Sequence, residues 1–535
     1  METVYDLLLH LQKNEHRTAV IHKDKTYTYG DLIKKTSKLA RGLKSHISYG
    51  DRIAVWVPNS IDWIVIELAA GLIGATVVNL NMRYKAHELN YILQHSKSKM
   101  MIFQPQLDSY NYKEILEGVI GKTEIDHTAF PSLEYIVSTT SLHDDSTSFY
   151  KTLDDFYVNE DVRLEEFKGL SSPESVFNIL YTSGTTSNPK GVMHSQRMAL
   201  LHGYNAGNHI KLTKEDILIG GLPFCGIFGY IALFSVLTHQ AKVIAMERYN
   251  PLETIKIIDK YKATIFFGLD NMCIPFFDMD LSNYDLSSLR VGVVSTMIMD
   301  TLEFVKAMEN LFENVTMVQT YGMSEVGSFA CVGSIDAPLE ERVLAGGPPI
   351  HPDIHVEIID PETEEILPPG NEGEMIMKGY NVMLGYLDAP EITRESFTKN
   401  GEFFKTGDLA IKLENGSVIY YSRMKDSLRL KGFLVSPKEI EDYILLLPEV
   451  DIVQIVGVKH DGQETPIAFM RLKENENLKK EDIIEHCKNG LADFKVPKDV
   501  IFIDSFPTTP GPNGDKIQKA KLREMAEEYM TLKKQ

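Results

Sequence analysis

The sequence predicts an α/β protein. It should have a large N-terminal domain of two stacked α/β subdomains plus a small β-barrel-like subdomain, followed by a small α+β C-terminal domain. Three observations lead there. Short apolar runs alternate with longer amphipathic stretches over residues 18–103 and again over 213–318, the pattern of parallel strands covered by helices. Beyond residue 330 short runs are separated by Gly, Pro and Asn turns, which reads as antiparallel. A chain of 535 residues also exceeds what one hydrophobic core sustains.

In order, Thr18–Ile21 and Thr26–Tyr29 read as short strands, and Asp31–His46 as a helix with Leu32, Leu39 and Leu43 on one side. Arg52–Val57, Ala75–Leu80 and Met100–Phe103 read as buried strands, with a helix at Ile61–Gly74. Residues 105–170 are more polar and read as a peripheral excursion. Val176–Leu180 is a buried strand, and the chain turns helix-compatible from His194. The second α/β run places strands at Ile217–Leu222, Lys242–Met246, Ala263–Phe267 and Leu289–Val294. Then come short strands at Ile354–Asp360, Gly373–Lys378, Ala410–Leu413 and Val418–Tyr421. The division falls at Lys425: residues 1–424 form the large domain and 425–535 the small one.

Asp+Glu 75 outnumber Lys+Arg 55, giving a net charge of −20. That balance argues against nucleic acid and anionic membrane, which are bound through basic patches. Cys225, Cys273, Cys331 and Cys487 are scattered, which argues against disulfides or zinc and fits the cytoplasm. The first residues carry no basic-then-apolar leader. Ile217–Thr238 is 22 residues without a charge, but its Gly and Pro breaks fit a strand, loop and buried helix rather than a transmembrane segment.

Tyr181-Thr182-Ser183-Gly184-Thr185-Thr186-Ser187-Asn188-Pro189-Lys190-Gly191 follows the Val176–Leu180 strand. Glycine lets backbone N–H groups face an anion, hydroxyls add neutral donors, and Lys190 adds a mobile charge suited to phosphate. The Gly-Lys-Ser/Thr order of a Walker loop is absent. Position for position, this stretch resembles the signature loop of the adenylate-forming superfamily, which includes acyl-CoA synthetases, nonribosomal adenylation domains and beetle luciferases. The resemblance implies that Thr182, Ser183, Gly184, Thr185, Thr186 and Lys190 handle the phosphates of ATP.

Four further motifs occur in the family's order. Tyr321-Gly322-Met323-Ser324-Glu325 is similar to its adenine and magnesium motif, implying Tyr321 and Gly322 at adenine, Ser324 in the loop and Glu325 on Mg²⁺. Thr406-Gly407-Asp408 implies Asp408 at the ribose. Arg423-Met424-Lys425-Asp426 implies Arg423 at ribose or phosphate and Lys425 as the hinge of a mobile C-terminal domain, with Ser422 where the family has Gly. Near the C-terminus, Gly514-Asp515-Lys516-Ile517 resembles the family's Thr-Gly-Lys-Ile, implying Lys516 as the lysine that bridges carboxylate and α-phosphate. Lys431 and Gly432 match the loop that lines the coenzyme A tunnel after rotation.

The acyl pocket departs most. Phe224, Cys225, Gly226 and Phe228 match a segment in which the family has His at the Gly226 position, and Ser295-Thr296-Met297 replaces a glycine-rich strand end. No acidic residue between Leu222 and Thr238 awaits a substrate ammonium, which would be costly unpaired. Apolar liners, among them Phe224, Phe228, Tyr230, Phe267 and Met297, suit a non-amino aliphatic, fatty or cyclic acid. The resemblance thus implies an ATP- and Mg²⁺-dependent acid–thiol ligase acting on a small carboxylic acid, with coenzyme A as acceptor. A separate carrier protein as acceptor, or a non-catalytic nucleotide- or acyl-binding protein, are the alternatives.

Overall fold

In the computed structural model, all residues are described except 143–148, 183–188, 297–298, 345, 431–432, 461–462, 512–513 and 534–535; the side chains of 425, 429, 433–434, 460, 463, 510–511 and 514–516 are likewise outside the description. Two eight-stranded sheets and one five-stranded sheet build the body. The first runs in the order Gly327–Val332, Thr316–Met323, Val291–Ser295, Ile265–Leu269, Ile217–Gly220, Lys242–Ala245, Thr18–His22, Lys25–Thr28, parallel except at its two edges. The second runs Gly385–Tyr386, Lys190–Ser195, Val176–Thr182, Thr76–Asn79, Arg52–Trp56, Met100–Phe103, Tyr135–Ser138, Tyr150–Thr152.

Residues from both sheets share one core: Val55, Val77 and Phe177 of the second meet Val243, Phe267 and Val293 of the first. The helices Ile61–Leu72 and Ile227–Thr238 lie within it and are buried almost all round. Such helices are apolar on every face because no face meets water. Gln196–His209 packs on Ile227–Thr238 so closely that a Cβ on Gly203 would stand 2.9 Å from the Phe234 carbonyl carbon. Ser195 starts the former helix by accepting from the Met198 amide at 3.0 Å.

Three expectations are corrected. The helix expected from His194 begins at Gln196, and the residues before it, Lys190–Ser195, are the antiparallel partner of Val176–Thr182. Apolar Val192 fits a buried strand as well as a helix, and sheet pairing decides between them. Residues 105–170 are not wholly peripheral, because Tyr135–Ser138 and Tyr150–Thr152 extend the second sheet. The strand expected at Ala410–Leu413 runs from Phe404 to Lys412, so Thr406-Gly407-Asp408 lies within it.

The third sheet is antiparallel, in the order Gly346–Gly347, Val418–Arg423, Phe404–Lys412, Gly373–Lys378, His355–Ile359. Beyond Met424–Asp426 come the helix Pro437–Ile444, the sheet of Val450–His460, Gln463–Leu472 and Asp499–Phe502, and the helix Lys480–Gly490. A hairpin of Thr508–Gly511 and Gly514–Ile517 then leads into the helix Lys519–Leu532. The tail has its own apolar clusters, around Ile440, Ile455 and Met470 and around Val458, Phe469 and Leu522. No helix among the described residues is long and apolar enough to cross a membrane.

Candidate active site

The motif residues converge where the parallel strands of the first sheet end, the usual ligand crevice of such sheets. Tyr321 and Gly322 close the strand Thr316–Met323, and Ser324–Val326 turns once before Gly327, whose φ of +73° returns the chain. The turn leaves the Glu325 carboxylate buried at 7 % exposure. The Tyr386 hydroxyl donates to its Oε1 at 2.9 Å. Lys190 Nζ lies 4.9 Å from the centroid of the same ring, a cation–π contact. Tyr386 therefore stands between the signature lysine and the motif carboxylate. It pairs with Val192 in the second sheet, two residues along the strand from Lys190, which itself pairs with Thr182.

The third sheet brings the other half. Gly407, at φ +68°, turns the chain so that its amide donates to Glu374 Oε1 at 3.1 Å and Asp408 points inward. Asp408 is 2 % exposed; Tyr321 donates to its Oδ2, and Arg423 Nε lies 3.1 Å from its Oδ1. Burial raises the Asp408 carboxyl, while Arg423 and the Tyr321 hydroxyl pull it back. Tyr321 also meets the Tyr420 ring at 5.6 Å, so one side of its ring is occupied by protein. Glu325, Asp408 and Arg423 thus form a charged rim beside an aromatic platform, suited to a nucleotide.

The expected acyl side is built by the next strand ends. Asn59, which carried no signal in the sequence, clamps the loop: its Nδ2 donates to the Gly220 and Leu222 carbonyls, and its Oδ1 accepts from the Phe224 amide at 2.8 Å. Gly226 precedes the helix Ile227–Thr238 as its cap residue. The half-buried Cys225 holds its thiol protonated, burial pushing it up to about 12. Phe228 and Phe267 both pack edge-on to Phe329, at 5.4 and 5.2 Å. Phe329 has φ +66°, a conformation unusual for an aromatic residue and held by the surrounding packing. Ser295 ends its strand, and the hydroxyl of Thr296 lies 2.6 Å from that of Thr301. Tyr230, expected as an apolar liner, instead sets its hydroxyl 2.8 Å from Oε1 of buried Glu67.

Ser183, Gly184, Thr185, Thr186, Met297, Lys431 and Gly432 lie outside the described residues, as do the side chains of Lys425 and Lys516. The backbone of Lys516 is described and pairs with Thr509 in the C-terminal hairpin. Sequence reading missed Tyr386, which follows Glu325 by 61 residues, and His194, whose Nε2 lies 2.6 Å from the Ser324 carbonyl. No spacing marks either one, because sheet pairing brings them in.

A hard divalent cation fits Glu325. The carboxylate spends one oxygen on Tyr386, and Mg²⁺ takes few protein oxygens when phosphates supply the rest. Among the described residues no group of three or more His, Cys, Asp or Glu forms a ready metal cage.

Comparison with known proteins places this geometry. The model of the AMP-binding enzyme family matches residues 9–387, and that of the AMP-binding enzyme C-terminal domain matches 439–511. The chain is 30% identical over 536 residues to YngI of Bacillus subtilis (strain 168), named as an acyl-CoA synthetase, covering 96% of this chain and 95% of that one. It is 29% identical over 537 residues to the human mitochondrial medium-chain acyl-CoA ligase ACSF2, covering 96% of this chain and 85% of that one. ATP-bound MatB from Rhodopseudomonas palustris shares the fold at a TM-score of 0.83 and 24% identity, over 98% of both chains. An anthranilate CoA ligase, AuaEII, with bound anthranoyl-AMP shares it at 0.83 and 22%, over 99% of this chain and 98% of that one. The chain belongs to the AMP-binding enzyme family, within the adenylate-forming superfamily, and carries that family's C-terminal domain.

Proposed function

We propose that this protein is an AMP-forming carboxylic acid–coenzyme A ligase. The carboxylate oxygen of the acid attacks the α-phosphorus of ATP, and the bond to pyrophosphate breaks to leave acyl-AMP. The sulfur of coenzyme A then attacks the acyl carbon, its proton is released, and AMP departs. The observation that carries this reading is the two sets Lys190–Tyr386–Glu325 and Tyr321–Asp408–Arg423, each joining one cation to one buried carboxylate.

Asp408 would accept from the ribose hydroxyls, with Arg423 beside it, while Tyr321 and Gly322 would border the adenine. Thr182, the 183–186 loop and Lys190 would hold the phosphates. Glu325 would carry Mg²⁺, which neutralises phosphate charge when bound. The small domain would rotate about Lys425, bringing Lys516 to the α-phosphate for the first step and the Lys431–Gly432 face for the second. A lone ammonium suits charge that grows only in the transition state.

The acid side favours a non-amino aliphatic, fatty or cyclic acid, because rings of Phe228, Phe267 and Phe329 gather beyond Gly226 and no acidic residue lies between Leu222 and Thr238 for an ammonium. The medium-chain name of the ACSF2 relatives agrees. Four free thiols support a cytoplasmic setting. The test is pyrophosphate release over a panel of acids, followed by thioester formation with coenzyme A or a purified carrier protein. Acid-dependent pyrophosphate with coenzyme A as acceptor is expected. Thioester on the carrier alone would move the reading to an acyl-AMP ligase, and no acid-dependent pyrophosphate at all would overturn it.

A further inference from the structure

Glu67 is the one acid on the helix Ile61–Leu72 that faces the core shared by the two large sheets, and it is 2 % exposed. Two polar groups face it: the Tyr230 hydroxyl at 2.8 Å from Oε1, and Asn79 Nδ2 at 3.4 Å from Oε2. No cation or second carboxylate faces it among the described residues. A lone buried carboxylate without a countercharge is costly, so the neutral acid is favoured.

From Tyr230 the polar groups continue. The Asn178 amide faces the Tyr230 hydroxyl, yet its Nδ2 has no hydrogen-bond partner among the described residues. Asn178 Oδ1 lies 2.8 Å from His194 Nδ1, and His194 Nε2 lies 2.6 Å from the Ser324 carbonyl. Two acceptors on one imidazole would demand two ring protons, and so a fully buried imidazolium. A half-turn of the Asn178 amide removes the conflict. Nδ2 then donates to His194 Nδ1, Nε2–H donates to the Ser324 carbonyl, and Oδ1 is free to accept from Tyr230.

With neutral Glu67 the donors run head to tail. Glu67 O–H donates to Tyr230, Tyr230 to Asn178, Asn178 to His194, and His194 to the carbonyl preceding Glu325. Asn79 donates to the other Glu67 oxygen. We propose that this buried chain positions the Ser324–Glu325 turn, and that it holds only while Glu67 keeps its proton. Ionised Glu67 would draw the Tyr230 proton to itself and leave Asn178 Oδ1 without a donor. Burial pushes the Glu67 carboxyl up to about 8, within reach of ordinary buffers. These are positioning residues, and the inference rests on reading that turn as the catalytic one.

Glu67→Gln is the decisive variant, because a glutamine amide donates to Tyr230 at every pH while its oxygen still accepts from Asn79. Pyrophosphate release by the wild type should fall on the alkaline side with a midpoint near 8, the protonated fraction dropping about tenfold between pH 7 and 9. The Glu67→Gln enzyme should lose that limb and match the wild type at pH 7 within about twofold. Tyr230→Phe should lower kcat at all pH with little change in KM for ATP, and it should not be rescued at low pH.

Thermal midpoints give a readout without turnover. The folded value lies above the unfolded one, so folding favours the protonated form, and this stability is lost as pH rises from about 4.5 to about 8. The Glu67→Gln protein should therefore gain on the wild type across that window and level off above it. Parallel midpoint curves, or an alkaline limb unchanged in Glu67→Gln, would overturn the proposal. Absent pyrophosphate release in the wild type would remove the enzymatic reading alone, since the midpoint curves still decide the hydrogen-bond chain.

Discussion

The Tyr321 hydroxyl donates a 2.5 Å hydrogen bond to Asp408 Oδ2, joining the end of the strand Thr316–Met323 in the first large sheet to the middle of a strand in the antiparallel sheet. The two residues lie 87 positions apart, and the bond would fix the proposed ribose acceptor relative to the proposed adenine platform. Asp408→Asn keeps the shape and loses the charge. It should raise KM for ATP by about 10–100-fold, the range for a hydrogen bond to a charged group. Tyr321→Phe, which keeps the ring, should cost less. Equal effects of the two in initial-rate assays against ATP would contradict this division.

Tyr386 should set the metal requirement. Tyr386→Phe keeps a ring under Lys190 but removes the donor to Glu325. The magnesium concentration for half-maximal pyrophosphate release should rise about tenfold, as when an outer partner of a metal ligand is lost. An unchanged magnesium titration would separate Tyr386 from the metal.

Lys516→Ala should lower acyl-AMP formation on the order of 10²–10³-fold, the usual scale for losing one preorganised charge in the transition state. Thioester formation from supplied acyl-AMP and coenzyme A should survive. If both half-reactions fall together, the lysine is not confined to the first step.

Phe228→Ala should shift the preferred acid toward longer or bulkier groups by opening the ring cluster with Phe329. Folding stability should drop by about 3–5 kcal/mol from the cavity. Competition between short and long acids, scored by product mass, reads the shift, and an unchanged ratio would place the acyl group elsewhere.

Acid should destabilise the protein through buried histidines. His202 is fully buried with Nε2 2.7 Å from the Ser328 carbonyl, and burial pushes it down to about 4. A depressed value means the contribution is present above about 6.5 and is lost as pH falls from there through about 4, by as much as ~3 kcal/mol. His202→Gln should flatten the thermal midpoint between pH 6.5 and 4 relative to the wild type. A midpoint that falls equally in both proteins would assign the acid loss to other groups.

What the sequence carried by itself was local. The hydroxyl-rich stretch ending in Lys190, the Tyr321–Glu325 turn and Asp408 beside Gly407 are each short enough for residue type and spacing to define. The apolar runs read as strands at Arg52–Val57 and Leu289–Val294 form the strands Arg52–Trp56 and Val291–Ser295, because parallel strands meet core on both faces. Only the tertiary structure decided that 190–195 is a strand, that Tyr386 stands between Lys190 and Glu325, and that Tyr230 serves Glu67 rather than lining the pocket. The physical reason is the same in each case. These choices are made by hydrogen bonds between elements far apart in the chain, and a buried polar group takes whichever partner the packed fold presents.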